Sequence, residues 1–126
     1  MKYFIKLIAL ASFFMAPIVF AAGSPFTIPE FDALQKEGKP VLVHVHASWC
    51  PTCKVQDPII DELTHSSDLK NLKVLEVDFD SQKDIVRQFK ATMQSTLIVF
   101  KGSKEVGRSV GDTKKVSIAN LLRKTN

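Results

Sequence analysis

Apolar positions recur along the chain with a helical period in some segments and as short continuous runs in others. The helical spacing predicts four helices, at residues 30–36, 50–64, 82–89 and 113–124. Runs rich in β-branched and aromatic residues predict four strands, at residues 41–46, 72–77, 96–100 and 105–110. The segment before the first helix is predicted to be irregular, and Ser81 is the predicted N-cap of the third helix. The predicted inward-facing residues of the last helix are Val116, Ile118, Ala119 and Leu122.

The order of these elements predicts an α/β fold. Helices between the early strands imply a parallel βαβ unit, and residues 101–104 have the composition of a hairpin turn between the last two strands. The expected architecture is a three-layer sandwich, in which a central mixed sheet (parallel βαβ followed by an antiparallel hairpin) is flanked by helices. Reactive groups are expected at the carboxyl ends of the strands.

Residues 1–21 have the pattern of a secretory signal peptide. Lys2 and Lys6 precede an apolar run over residues 7–16, and Val19-Phe20-Ala21 provides a cleavage site after Ala21. We therefore predict a signal peptide at 1–21, one domain at 22–126, and a periplasmic or secreted location. The alternative is an uncleaved N-terminal helix that anchors the chain, although the apolar stretch over residues 7–22 is short for a membrane span and contains Pro17.

Composition narrows the class of protein further. The chain has 126 residues and two cysteines, which excludes a scaffold held by several disulfides. Its formal charge of +4 includes Lys2 and Lys6, so without them it is +2, and the remaining basic residues are interspersed with acids. No nucleic-acid partner is therefore predicted. We expect a monomer without a cofactor.

The candidate chemistry is concentrated at Cys50 and Cys53. They follow the first predicted strand and open the second predicted helix, where unpaired backbone N–H groups and the helix dipole favour a thiolate. The spacing places Cys53 one turn after Cys50, so the two can form a disulfide. We predict that Cys50 is the exposed attacking thiol and that Cys53 is the resolving thiol. An inert structural disulfide and one half of a zinc site are the competing interpretations.

The residues around this motif resemble the thioredoxin family from about residue 31 to residue 122. The residues that carry the resemblance are Val41-Leu42-Val43, Ala47-Ser48-Trp49-Cys50, Lys54, Pro58, Val77-Asp78, Thr96-Leu97 and Val110-Gly111. The resemblance implies a thioredoxin fold and dithiol–disulfide exchange with protein substrates through a mixed disulfide. It also implies substrate contacts at Trp49, Pro51, Thr52, Ser95 and Thr96.

Two positions depart from the pattern of that family. Thioredoxins usually have a cis-proline where this chain has Ser95, and a cis bond before a non-proline residue costs about 3 kcal/mol. We therefore expect a trans or rearranged backbone here, with altered substrate handling or simple tolerance of serine as the two outcomes. Thioredoxins also bury an Asp where this chain has His44. His44 is a candidate proton acceptor for Cys53, or a core histidine bonded to a carbonyl, and His46 shares its strand face.

These departures leave two alternatives to an enzyme open. Cys50, Cys53, His44 and His46 together match a zinc or copper ligand set. A peptide-binding module without turnover is the other alternative. For the enzyme, Thr52 is neutral and does not favour the thiolate as a charged residue would, which predicts a reductase that depends on a membrane-bound electron donor.

Overall fold

The computed structural model describes residues 23–126, so the predicted signal peptide lies outside the described residues. The strands are β1 (Ser24–Pro25), β2 (Pro40–His46), β3 (Lys73–Asp78), β4 (Thr96–Lys101) and β5 (Lys104–Val110). The helices are α1 (Ile28–Lys36), α2 (Pro51–Thr64), α3 (Lys83–Gln88) and α4 (Lys115–Leu122), and a 3-10 turn covers Arg123–Thr125. Within residues 23–126 no helix is both long and apolar enough to cross a bilayer.

The five strands form one mixed sheet in the order β1-β3-β2-β4-β5. β2 and β3 are parallel, as a βαβ crossover through α2 requires, whereas β4 is antiparallel to both β2 and β5. Gly102 forms the turn of the β4–β5 hairpin at a φ of 58°, a conformation that glycine adopts without a steric penalty. The predicted parallel unit and hairpin are confirmed. The short strand β1, which pairs with β3, lies in the segment predicted to be irregular.

Helices cover both faces of the sheet, which confirms the three-layer architecture. Buried residues of α1 and α3 join one hydrophobic cluster with Val41, Val43 and Val45 of β2. Buried residues of α2 and α4 join a second cluster with Leu42 of the same strand. Because side chains alternate across a strand, β2 contributes to both clusters and is the central strand of the fold.

Two sequence predictions about helix ends and faces are wrong. Gln82, and not Ser81, is the N-cap of α3, and its side chain makes no capping hydrogen bond. Ser81 instead donates its backbone N–H to Asp78 Oδ1 at 3.1 Å, because the turn after β3 is organised by that carboxylate. Val116 is 74% exposed and does not face inward, because at 3.6 residues per turn it lies on the side of α4 opposite the buried Ile118.

Candidate active site

Cys50 and Cys53 lie where β2 ends and α2 begins, at the carboxyl edge of the central strand. Cys50 is the N-cap of α2, with an extended backbone, and Pro51 follows it in the first turn. Proline suits this place because its missing N–H has no helical partner there. Cys50 Sγ accepts the backbone N–H of Cys53 at 3.1 Å, so the sulfur is held at the positive end of the helix dipole.

The two cysteines form a disulfide with a Cα–Cα distance of 5.3 Å, as their spacing predicted. Their predicted difference in exposure is wrong, because both residues are 0% exposed. Cys50 turns back over the first turn of the helix to cap it, and it packs with Ala47, Cys53 and the partly buried Phe79. The side chain is therefore directed along the helix end and not toward solvent.

The five residues predicted to contact substrate differ in their exposure. Trp49 and Pro51 are exposed and Thr52 is partly buried, whereas Ser95 and Thr96 are buried. Trp49 donates its indole N–H to Asp80 Oδ2 at 2.7 Å, which ties the residue before Cys50 to the turn after β3. A role for these residues in binding substrate stays a prediction.

Ser95 has a trans peptide bond and a left-handed backbone, with a φ of 58°. This confirms the trans, rearranged backbone predicted where the family has proline, and it does not decide between altered substrate handling and simple tolerance of serine. Its N–H donates to the Val45 carbonyl at 2.7 Å, and its carbonyl accepts the N–H of Gly111 at 3.0 Å. The serine hydroxyl donates to the Gln94 carbonyl at 2.5 Å. The loop before β4 is thus fixed by backbone bonds that a proline could not all make.

His44 is fully buried and its tautomer follows from its partner. Gln56 donates from Nε2 to the carbonyls of Ser95 at 3.2 Å and Asp112 at 2.9 Å, so its Oε1 faces His44. The His44 Nε2–H therefore donates to that oxygen at 3.0 Å. Burial lowers the pKa of His44 from 6.5 to about 4 against the opposing charge of Asp57, so the ring is neutral. Nδ1 then carries the lone pair, and the predicted proton-acceptor role stays a prediction about that nitrogen.

His46, Asp57 and Glu76 form the outer part of the same polar cluster. His46 Nε2 lies 3.0 Å from Asp57 Oδ2 and His46 Nδ1 lies 3.2 Å from Glu76 Oε1, while the His44 and His46 rings are 5.3 Å apart. Burial raises the pKa of Glu76, although the charge of His46 lowers it. The two histidines do share the strand face toward α2, as the alternation of β2 predicted.

The predicted ligand set of two cysteines and two histidines is not the group that the structure brings together. Among residues 23–126, the His, Cys, Asp and Glu side chains with ligand atoms within 4.8 Å of one another belong to His44, Asp57 and Glu76. Neither cysteine belongs to this group. The His44 ring is oriented by its hydrogen bond to Gln56, with Nδ1 on the side of Asp57. The two sulfurs instead bond to each other at the N-terminus of α2.

Three residues of this cluster were missed from the sequence. Gln56 occupies the buried face of α2 between Cys53 and Ile60, where its helical spacing marks a polar residue in an apolar stripe. Glu76 pairs with His44 across the parallel strands β2 and β3, which follows from their register. Asp57 gives no such signal, because an acidic residue on a surface helix is common.

Comparison with known proteins agrees with this arrangement. The Thioredoxin family model matches residues 25–124. Thioredoxin of Chlamydia trachomatis is 38% identical over 84 residues, which cover 67% of this chain and 80% of that protein. Thioredoxin 1 of Nostoc sp. is 33% identical over 85 residues, which cover 68% of this chain and 78% of that protein.

Solved structures give the same result. The crystal structure of Trxlp from Edwardsiella tarda has a TM-score of 0.76 and 39% identity, and the match covers 78% of this chain and 95% of that one. The thioredoxin NaTrxh from Nicotiana alata has a TM-score of 0.65 and 26% identity, over 73% of this chain and 77% of that one. The fold is therefore shared with these proteins.

Proposed function

The chain belongs to the thioredoxin family and is a thiol–disulfide oxidoreductase, and we propose that it uses Cys50 and Cys53 to reduce protein disulfides outside the cytoplasm. One observation carries this proposal: the two sulfurs are joined at the N-terminus of α2, with Cys50 Sγ accepting the N–H of Cys53. That N–H and the helix dipole stabilise negative charge on Cys50, which is the charge that the attacking thiolate has.

The reaction transfers two electrons from the dithiol to the substrate. The Cys50 thiolate attacks one sulfur of a substrate disulfide, forms a mixed disulfide and releases the other substrate sulfur as a thiolate. Cys53 then gives its proton to a base, attacks Cys50 Sγ and releases the second substrate thiolate, which leaves the Cys50–Cys53 disulfide. His44 Nδ1 is the base that we propose, because Nε2 already carries a proton bonded to Gln56.

Substrate access requires a local movement, because the joined sulfurs are buried. Trp49 and Pro51 flank Cys50 in sequence and are exposed, so we propose that substrate binds over them and over the 93–95 loop. Phe79 contacts the cysteines and is itself only partly buried. We propose that a movement of its side chain exposes Cys50 to substrate. Thr52, Ser95 and Thr96 would complete the contact surface.

Trapping tests the assignment of the two thiols. A Cys53→Ala variant should accumulate mixed disulfides through Cys50, which mass spectrometry after non-reducing electrophoresis identifies. The Cys50→Ala/Cys53→Ala variant is the matched control and should accumulate none. Insulin reduction with dithiothreitol as the donor should proceed with the wild type and fall to the uncatalysed rate with Cys50→Ser. Trapping in Cys50→Ala but not in Cys53→Ala would reverse the two roles.

The direction of the reaction is tested by equilibration with glutathione. Thr52 between the cysteines is neutral, so the reduced form has no added charge to stabilise it and a moderately reducing couple is expected. A potential near that of thioredoxin, about −270 mV, supports a reductase. A potential near that of the oxidant DsbA, about −120 mV, would overturn that direction. Peptide binding without any turnover would assign the chain to the binding modules instead.

Export rests on the pattern of residues 1–21. A reporter enzyme that is active only in the periplasm, fused after residue 22, should become active, and a fusion with Lys2→Glu and Lys6→Glu should lose much of that activity.

An exported reductase needs electrons from the cytoplasmic side, so we propose a membrane-bound dithiol donor. Copurification of the full-length chain with membranes would favour the anchored alternative, and light scattering would test whether the chain is a monomer.

A further inference from the structure

The polar cluster beneath α2 contains two buried atoms without a hydrogen-bond partner. They are His44 Nδ1 and Asp57 Oδ1, and they lie 3.8 Å apart. Buried polar atoms in native proteins are nearly always bonded, so an unpartnered pair that faces one another points to something that binds between them. His44 Nδ1 is also the base proposed for Cys53, so it is open to another ligand only while the two sulfurs are joined and no proton is transferred.

Both atoms present a lone pair. Gln56 Oε1 can only accept, so the ring proton of His44 is on Nε2 and Nδ1 is a free donor of electrons to a ligand. A hydrogen bond to a ring nitrogen opposite the ligating one is the arrangement that orients metal-bound histidines in proteins. Gln56 is itself fixed by the Ser95 and Asp112 carbonyls, so the orientation of His44 is held from three elements.

The distance between the two atoms distinguishes the possible occupants. A separation of 3.8 Å is too long for a direct hydrogen bond. A bridging water of ideal geometry would place its two partners about 4.5 Å apart, which is about 0.7 Å more than the observed separation. Two nitrogen or oxygen ligands of one tetrahedral ion, each about 2.0–2.2 Å from it, lie about 3.3–3.6 Å apart. A movement of a few tenths of an ångström would therefore let both atoms bind one ion.

We propose that His44 Nδ1, Asp57 and Glu76 bind one divalent transition-metal ion, best matched by zinc, with water as the fourth ligand. Ligand atoms of these three residues lie within 4.8 Å of one another. One imidazole and two carboxylates are ligands that zinc accepts in a site with an open position. The site uses no sulfur, so it differs from a site built on Cys50 and Cys53 and can be filled while they are oxidised.

His46 supports the site from outside. Its two nitrogens contact Asp57 Oδ2 and Glu76 Oε1, so it holds both carboxylates and leaves their other oxygens for the ion. The Asp57 and Glu76 side chains are 16% and 28% exposed, which gives the ion a route from solvent, whereas His44 forms the closed inner end.

Zinc binding is measured on the purified oxidised protein, because its disulfide offers no thiolate. Competition with a chromophoric zinc chelator should give one equivalent of bound zinc. Glu76→Gln and Asp57→Asn, which keep side-chain shape, should each weaken binding at least about tenfold. Asp61→Asn, an exposed acidic residue on the same helix, is the matched control and should bind as the wild type does. Cobalt-loaded protein should show no sulfur-to-metal charge-transfer absorption.

Three results would overturn the site: no stoichiometric zinc on the oxidised protein, unchanged affinity in both Glu76→Gln and Asp57→Asn, or sulfur ligation in the cobalt spectrum. Thermal unfolding without metal establishes that each variant is folded, and partly exposed Glu76 provides the decisive variant if Asp57→Asn does not fold. The Cys50→Ser/Cys53→Ser variant should bind zinc as the wild type does, so loss of turnover leaves this test unaffected.

Discussion

The two faces of β2 bury different chemistry, although they belong to one strand of seven residues. One face places Val41, Val43 and Val45 in an entirely apolar cluster. The other begins with Leu42 and then changes to His44 and His46 as the strand approaches the cysteines. The comparison teaches that the face away from α2 stabilises the fold, and that the face under α2 becomes polar only where the site lies.

The apolar face is organised by phenylalanine rings. Phe31 lies at the centre of this group, with ring centroids 5.3, 5.4 and 5.2 Å from those of Phe26, Phe89 and Phe100. Two of these pairs are edge-to-face, a geometry that adds about 0.5–1.5 kcal/mol to the burial of apolar area. These contacts join α1, the end of α3 and β4 into one unit.

The polar face of β2 is stabilised by hydrogen bonds and not by the burial of apolar surface area. Gln56 alone connects His44 on β2, Ser95 before β4 and Asp112 after β5. A buried polar group that has lost water and found no other partner destabilises the folded protein. Gln56 therefore stabilises the fold by giving hydrogen-bond partners to buried groups that would otherwise have none. The two faces should therefore respond to opposite kinds of substitution.

The largest effect is expected on the apolar face. Phe31→Ala removes a buried ring and leaves a cavity, so the free energy of unfolding should fall by about 3–5 kcal/mol in urea denaturation of the oxidised protein. The control is Ile28→Ala at the exposed start of the same helix, which should cost about 0.5 kcal/mol. A loss under about 1.5 kcal/mol for Phe31→Ala would mean that the phenylalanine group is not the main source of stability.

An intermediate effect is expected on the polar face. Gln56→Leu keeps the volume but leaves the His44 Nε2–H and the Asp112 carbonyl without partners, whereas Ser95 keeps the N–H of Gly111. The free energy of unfolding should fall by about 2–3 kcal/mol. Gln88→Leu at the exposed end of α3 is the control and should change it by about 0.5 kcal/mol or less. Wild-type stability in Gln56→Leu would show that water replaces the amide.

The two faces also differ in how far the sequence predicts them. A run of valines at Val41, Val43 and Val45 predicts a buried strand face. The spacing of Cys50 and Cys53 predicts that they lie where a strand meets a helix and that they form a disulfide, and the structure confirms both. Gln56 is visible only as a polar residue in a helical stripe. The burial of Cys50 is not predictable from the sequence, because it depends on which way a capping side chain turns. The Val116 error has a different origin, because at 3.6 residues per turn Val116 lies on the side of α4 opposite Ile118.

A smaller effect is expected at Ser95 and Lys90, which within residues 23–126 are the two residues other than glycine that have a left-handed backbone. Ser95 and Lys90 have φ values of 58° and 54°, where a side chain is strained. Ser95→Gly and Lys90→Gly should each raise the free energy of unfolding by about 0.5–1 kcal/mol, after the greater entropy of glycine in the unfolded chain is subtracted. Lys90 lies just after α3, away from the polar cluster. Equal gains in stability for the two variants would therefore assign the gain to relief of backbone strain alone. A gain at Lys90 with a loss at Ser95 would show that the Ser95 hydroxyl stabilises the loop.

The smallest effect is a pH dependence at the edge of the apolar face. Arg108 donates from Nε to Glu105 Oε2 at 2.9 Å and from Nη1 to the Phe89 carbonyl at 3.1 Å. The hydrogen bond from Arg108 lowers the pKa of Glu105. A carboxylate whose pKa is lower in the folded protein stabilises it above the unfolded pKa of about 4.3, and this contribution is lost as the pH falls through the folded value.

Since the Glu105 side chain is 38% exposed, solvent screening limits this contribution to about 0.5 kcal/mol. Glu105→Gln should therefore be less stable than the wild type by about that amount at pH 7, and the difference should shrink as the pH falls below about 4.3, as a series of urea unfolding curves measures. Glu37→Gln, just after α1, is an exposed acidic control without a basic partner among residues 23–126. A difference above about 1.5 kcal/mol for Glu105→Gln would mean that Glu105 acts through Arg108 on the Phe89 carbonyl, so that the apolar face, too, depends on a polar contact at its edge.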